Sequence, residues 1–182
     1  TIETALTCLD DFKILCAHNS GEYGTLSINH LCENILRSEQ NFDISQRLLN
    51  RMIMVTVNDY KKRLFNGDTG IVVGKDKECR AVFKDYENHI KEYRTVDLPG
   101  HESAYAITIH KSQGSEFKTV LILVPDHLSS VLTRQLLYTG VTRAKTKVII
   151  AGRLDIIKQA VSLSINRSSG LSDGLDAHFN IL

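Results

Sequence analysis

Residues 105–124 read YAITIHKSQGSEFKTVLILV, two apolar runs of strand length separated by a polar turn. Tyr105–Ile109 and Thr119–Val124 are rich in β-branched residues and read as strands. Downstream, Ser130–Tyr138 has helical spacing and Lys147–Ala151 is again strand-like. Leu154–Leu163 sets Ile156, Ile157, Ala160 and Val161 on one side of a helix. Upstream, Phe12–Ala17 (FKILCA) and Met52–Val57 (MIMVTV) have strand length, although a short apolar run by itself also suits a buried helix. Between them, Leu26, Ile28, Leu31, Cys32, Ile35 and Leu36 approximate one helix face, with Thr25 as the expected N-cap after Gly24. Strands alternating with helices predict an α/β fold, a parallel sheet with helices on both faces.

The texture changes after the turn cluster Asn66-Gly67-Asp68. From Thr69 to Pro99 the pieces are short (GIVVG, CRAVFK, EYRTV), separated by charged turns and without a helical period. Such spacing predicts a small antiparallel barrel or meander set as an insert into the α/β layer. From Ser164 the chain is rich in Ser and Gly, which predicts a fraying tail.

Composition narrows the class. The 182 residues, 42% hydrophobic and 24% charged, can bury a core and do not match a disordered chain. No apolar run approaches the roughly 20 residues that span a bilayer, and no signal-peptide pattern opens the chain, so a soluble cytoplasmic protein is expected. Cys8, Cys16, Cys32 and Cys79 form no C-x-x-C pair, which favours buried thiols over a disulfide scaffold or a zinc site. The histidines show no ligand spacing, and no structural metal is expected. The net charge of +1 is uneven. Residues 133–160 hold Arg134, Arg143, Lys145, Lys147, Arg153 and Lys158 against Asp155 alone. That block suits either a phosphate or nucleic-acid contact or an ordinary solvated face.

A glycine-rich phosphate loop, G-x-x-x-x-G-K-[ST], is absent, as are G-x-G-x-x-G and G-x-S-x-G. Taken alone, the sequence holds no complete catalytic centre. Two segments nevertheless stand out: AYAITIHKSQGSEF at 104–117 and QLLYTGVTRAK at 135–145. They resemble motifs V and VI of superfamily 1 helicases, and in detail those of the RecD-like family, the RecD subunits of bacterial exodeoxyribonuclease V. Arg63–Gly70 (RLFNGDTG) is similar to the start of that family's inserted barrel, and Phe12–Asn34 to its strand and helix around motif IV. The resemblance covers roughly residues 12–160.

The resemblance implies a second RecA-like motor domain interrupted by an SH3-like barrel. The implied division is 1–63 and 101–163 for the motor domain, 64–100 for the barrel and 164–182 for a flexible tail. It further implies a C-terminal fragment of an ATP-dependent 5′–3′ DNA helicase acting in double-strand break repair. ATP with Mg²⁺ would be bound mainly by a preceding phosphate-loop domain. Single-stranded DNA and RecB- and RecC-like subunits would be its partners.

The motifs also imply roles for particular residues. Arg143 would be the arginine finger at the γ-phosphate, a group that contributes about 10³–10⁵ in rate in well-studied NTPases. A plain helix-capping arginine is the alternative, because the C-terminal dipole favours a cation there. Gly114 would let the backbone approach the nucleotide, Glu116 would accept from the ribose, and Gln113 would sense the nucleotide or serve only as a loop amide. Thr108, His110 and Lys111 would contact the sugar–phosphate of single-stranded DNA without reading bases. Asn58, Tyr60 and Lys61 would add a stacking or backbone contact, or form a solvated turn. The pattern departs from several superfamily 1 helicases near motif IV, where an arginine is expected and His18 and Asn19 stand instead. A non-catalytic nucleic-acid- or subunit-binding module, and a stand-alone RecD-like helicase, remain as alternatives.

Overall fold

The computed structural model describes residues 2–39, 51–74, 79–85 and 87–163. In chain order the elements are α1 (Ile2–Cys8), β1 (Phe12–Cys16), α2 (Thr25–Glu39), β2 (Arg51–Val55), β3 (Thr69–Val73), β4 (Arg80–Lys84) and β5 (Ile90–Arg94). After a 3₁₀ turn at Thr95–Asp97 come β6 (His101–Ser103), β7 (Ala106–Thr108), β8 (Phe117–Leu123), α3 (Arg134–Val141), β9 (Ala144–Ala151) and α4 (Leu154–Ser162).

The expected α/β layer is present as a four-stranded sheet in the order β7-β1-β8-β9, parallel throughout. Leu15, Val120 and Ile122 are fully buried and share one core with Leu132, Leu136 and Leu137 and with Ile156 and Ala160 of α4. Successive strand residues face opposite ways. Leu15 therefore meets the α3–α4 side, whereas Cys16 faces α2, where its thiol lies near Cys32. Among the described residues no helix is long and apolar enough to cross a membrane.

The second sheet is antiparallel, in the order β5-β4-β3-β2-β6. It draws on residues on both sides of 64–100, because β2 and β6 belong to it. One face encloses its own core of Ile53, Val55, Leu64, Val72, Ala81 and Phe83. Ile71 and Val82, on the other face, pack against Leu6 and Leu9 from the N-terminal segment. β5 and β6 are its edges, and no ladder among the described residues closes it.

Several local expectations are corrected. Thr25 is the first residue inside α2, where Gly24 O accepts the Ile28 amide at 3.1 Å and the Thr25 hydroxyl donates to Asn19 Oδ1. The apolar stripe of α2 is not its buried face. Leu26, Leu31 and Ile35 are exposed, while Asn29 is buried. The helix expected from Ser130 starts at Arg134, because Thr133 is its N-cap and accepts the Leu136 amide at 3.3 Å. The strand expected at Tyr105–Ile109 shrinks to Ala106–Thr108, and that expected at Lys147 begins at Ala144. Of the four thiols, Cys16 and Cys79 are buried, Cys32 is intermediate and Cys8 is exposed. The tail from Ser164 lies outside the described residues.

Candidate functional site at the two edges of the parallel sheet

A parallel sheet has two unlike edges, and the register locates each segment on one of them. Thr108 is level with Cys16 and Leu123, at the carboxyl ends of the strands. Phe117 is level with Ala144, at the amino ends. Residues 109–116 must therefore run the length of the sheet. They do so in tight turns, with Ser112 N donating to Thr108 O at 3.1 Å and Ser115 N to Ser112 O at 3.0 Å. Ser112 is fully buried and its hydroxyl donates to Ile109 O at 2.7 Å, which holds this connection from inside.

At the amino edge the structure sets Glu116 beside Arg143, with Gly114 in the turn just before, whereas Gln113 N donates to His110 O at 3.2 Å and stays with the turn that follows β7. Phe117 N donates to Arg143 O at 2.8 Å, and the Arg143 guanidinium donates to Ser115 O at 3.1 Å. Arg143 follows the last turn of α3, and its Nε donates to Thr139 O at 3.3 Å. These carbonyls orient the planar fork, and no carboxylate among the described residues neutralises it. Gly114 has φ +87 and open space around it, the left-handed conformation that favours glycine. Gln113 and Glu116 are exposed, and the Glu116 carboxylate stands 3.6 Å from Lys145 Nζ. The edge offers a fixed cation, an acceptor and a bare backbone turn, groups that suit a phosphate and a hydroxyl.

At the carboxyl edge lie Thr108, His110 and Lys111. Thr108 is buried, and its Oγ1 accepts the Lys111 amide at 3.2 Å, so it shapes the turn. His110 and Lys111 are exposed, and Lys111 is held by Glu102 at 2.6 Å. His18 and Asn19 follow β1 at this same edge, with His18 Nε2 2.8 Å from Ser129 Oγ. The five residues of β1, about 16 Å of strand, separate them from the Arg143 edge. A cation at position 18 or 19 could not share one phosphate with Arg143.

Asn58 and Tyr60 sit apart from both groups, in the turn after β2. Asn58 Oδ1 accepts the Asn66 amide at 2.7 Å, which spends that oxygen on closing the turn. Tyr60 is 75% exposed, edge-on to Phe65 at 6.0 Å, and Lys61 beside it is exposed. Of the basic block, Arg153 is paired with Asp155 at 2.8 Å and Lys145 with Glu116, while Lys147 is exposed on β9.

Two buried polar side chains escaped the sequence reading. Lys13, 1% exposed within β1, donates to Ala104 O at 3.0 Å and lies 5.4 Å from the Phe117 ring centre. Burial pushes its pKa down from 10.5 to about 8, partly offset by Asp10. Asn29, on α2, bonds to the backbone of Ser103 and Ala106. A polar residue interrupting an apolar run was the available signal for Lys13; Asn29 left none.

Known proteins resemble this chain in sequence and in fold. Residues 103–151, which hold both edges, match the family described as UvrD-like helicase C-terminal domain. The RecBCD enzyme subunit RecD of Mycolicibacterium smegmatis is 39% identical over 92% of this chain and 30% of its own length. The ATP-dependent RecD2 DNA helicase of Deinococcus radiodurans is 31% identical over 69% of this chain and 18% of its own. A crystal structure of Pif1 helicase from Bacteroides, in complex with ADP-AlF3 and single-stranded DNA, superposes with a TM-score of 0.56. It covers 98% of this chain and 50% of that one at 19% identity, a likeness of fold. The chain thus spans about 30% of the length of the RecD subunit compared. Over nearly all of its own length it is a homologue of the RecD helicase subunits.

Proposed function

We propose that this chain is the second, RecA-like motor portion of an ATP-driven 5′–3′ DNA helicase of the exodeoxyribonuclease V type. It would act with RecB- and RecC-like subunits in double-strand break repair. ATP would meet the edge that carries Gly114, Glu116 and Arg143, and single-stranded DNA the edge that carries Thr108, His110 and Lys111. The supporting observation is that residues 109–116 join the two edges through one hydrogen-bonded segment. A shift at the nucleotide edge is thereby transmitted to the DNA edge. Arg143 stabilises charge on the γ-phosphate as it transfers, and its partner carbonyls set the fork before ATP arrives. Among the described residues no group of three or more His, Cys, Asp or Glu is placed to hold a metal ion. The antiparallel sheet with its separate core serves as the SH3-like insert, residues 64–100 flanked by β2 and β6.

The test is Arg143→Ala in the full-length protein. DNA-stimulated ATPase falls by at least about 100-fold, while single-stranded DNA binding stays within about twofold of wild type. Wild-type turnover in the variant removes the arginine-finger role. If the wild-type full-length protein, together with its partners, shows no DNA-stimulated ATPase at all, the non-catalytic binding module replaces the motor.

A further inference from the structure

Between the two sheets the chain has only Ala104 and Tyr105 to cross from β6 to β7. β7 is short and lies at the edge of the parallel sheet, with β1 as its one ladder partner among the described residues. Such an edge leaves alternate N–H and C=O groups facing away from the sheet. In β7 those groups belong to Ala106 and Thr108; Thr108 O accepts Ser112 N at 3.1 Å, and the Asn29 side chain takes both groups of Ala106. Ala106 N donates to Asn29 Oδ1 at 2.8 Å, and Asn29 Nδ2 donates to Ala106 O at 2.9 Å. A primary amide carries donor and acceptor in one plane, so it can stand in for the missing neighbour strand. The same Nδ2 also donates to Ser103 O at 2.9 Å.

The remaining acceptors of the crossing are satisfied as well. Lys13 Nζ donates to Ala104 O at 3.0 Å, and Ile14 N donates to Tyr105 O at 3.3 Å. One turn further along α2, Glu33 accepts the Ser103 hydroxyl. Four consecutive carbonyls are thus held, two of them by Asn29, and two residues past Ala106 lies Thr108, whose hydroxyl sets the Lys111 turn.

We propose that Asn29 is a positioning residue for the DNA-facing turn: it fixes β7 from its open side, and so sets where Thr108, His110 and Lys111 stand. The inference rests on the assignment of that turn to DNA. Asn29 has no part in the nucleotide edge, so its loss shows as weaker DNA use, not slower chemistry.

The experiment uses the full-length protein with Asn29→Ala, Lys111→Ala and, as a control on the same helix, Asn34→Ala, whose side chain pairs with the exposed His30. ATPase is titrated with oligothymidylate at saturating ATP, and then with ATP at saturating oligothymidylate. Asn29→Ala is expected to raise the half-saturating DNA concentration about tenfold, because a turn that must be ordered on binding costs affinity. Its kcat at saturating DNA and its KM for ATP stay within about twofold, and Asn34→Ala resembles wild type. Independently of DNA, hydrogen exchange at the Ala106 amide speeds up by about tenfold or more in Asn29→Ala. Unchanged exchange, or an unchanged DNA requirement while Lys111→Ala raises it, overturns the positioning role and spares the DNA assignment. If Lys111→Ala and Asn29→Ala both leave the DNA requirement unchanged, the DNA assignment falls and the inference with it. A uniform loss of kcat and of both half-saturation values in Asn29→Ala makes it a folding residue only and also overturns the proposal.

Discussion

Replacing Lys13 by Met should change the pH dependence of stability in a direction that the burial of Lys13 dictates. The side chain is 1% exposed and its pKa is lowered from 10.5 to about 8, chiefly by desolvation. A group with a depressed amine pKa binds its proton less tightly when folded. Below pH 8 the lysine is charged in both states, and the folded state carries the whole desolvation penalty. Between pH 8 and 10.5 the unfolded chain holds the proton and the folded chain does not, so stability rises with pH. The difference between 10.5 and about 8 corresponds to about 3 kcal/mol. Met keeps the unbranched apolar volume and removes the titration, but leaves Ala104 O without its donor, at about 1–2 kcal/mol. Lys13→Met is therefore expected to be more stable than wild type by about 1–2 kcal/mol at pH 7 and less stable by about that much above pH 10. Urea unfolding of both proteins at pH 7, 8, 9 and 10 measures the difference, in which all other titrations cancel. A difference that stays flat across this range refutes the argument, since it would mean that Lys13 is solvated or neutral throughout.

Two further outcomes follow from packing. Gly24→Ala would drive its Cβ into Ser20 O and to 2.6 Å from Asn19 O, both backbone atoms in the turn that starts α2. A loss of about 2–4 kcal/mol in urea unfolding is expected, and an unchanged midpoint would show that the turn relaxes freely. The Cys16 thiol is pushed up to about 12 by burial, with Cys32 adding to the shift, whereas Cys8 is exposed. At pH 8 iodoacetamide should label Cys8 about a thousandfold faster than Cys16, read by peptide mass spectrometry. Equal rates would mean that β1 opens on the labelling timescale.

The strands of the parallel layer were legible from short apolar, β-branched stretches such as residues 120–123 of β8 and 148–151 of β9. The two signature segments were legible because their chemistry is local: a glycine that must turn at 114, an arginine next to a helix end at 143. The insert was legible as short strands, yet its full membership was not. β2 and β6 lie about fifty residues apart and pair only through tertiary contact at Ile53↔Ser103 and Val55↔His101.

The helix α2 shows the limit most plainly. Of the apolar residues that its spacing pointed to, Ile28 and Cys32 are partly buried, but Leu26, Leu31, Ile35 and Leu36 are exposed, and the face that meets the sheet is organised around Asn29. Hydrophobic periodicity reports where apolar area could be covered, and says nothing of where a strand edge needs a donor and an acceptor. The same holds for Lys13, whose partner Ala104 lies 91 residues away. The sequence by itself determined most of the strands and helices and singled out the two signature segments at 104–117 and 135–145, because those properties depend on neighbours in the chain. The tertiary structure alone decided that Arg143 and His18 stand at opposite edges, and that Asn29 and Lys13 hold the crossing between the sheets. Those facts depend on strand order and register, which are set by long-range hydrogen bonds that no local pattern encodes.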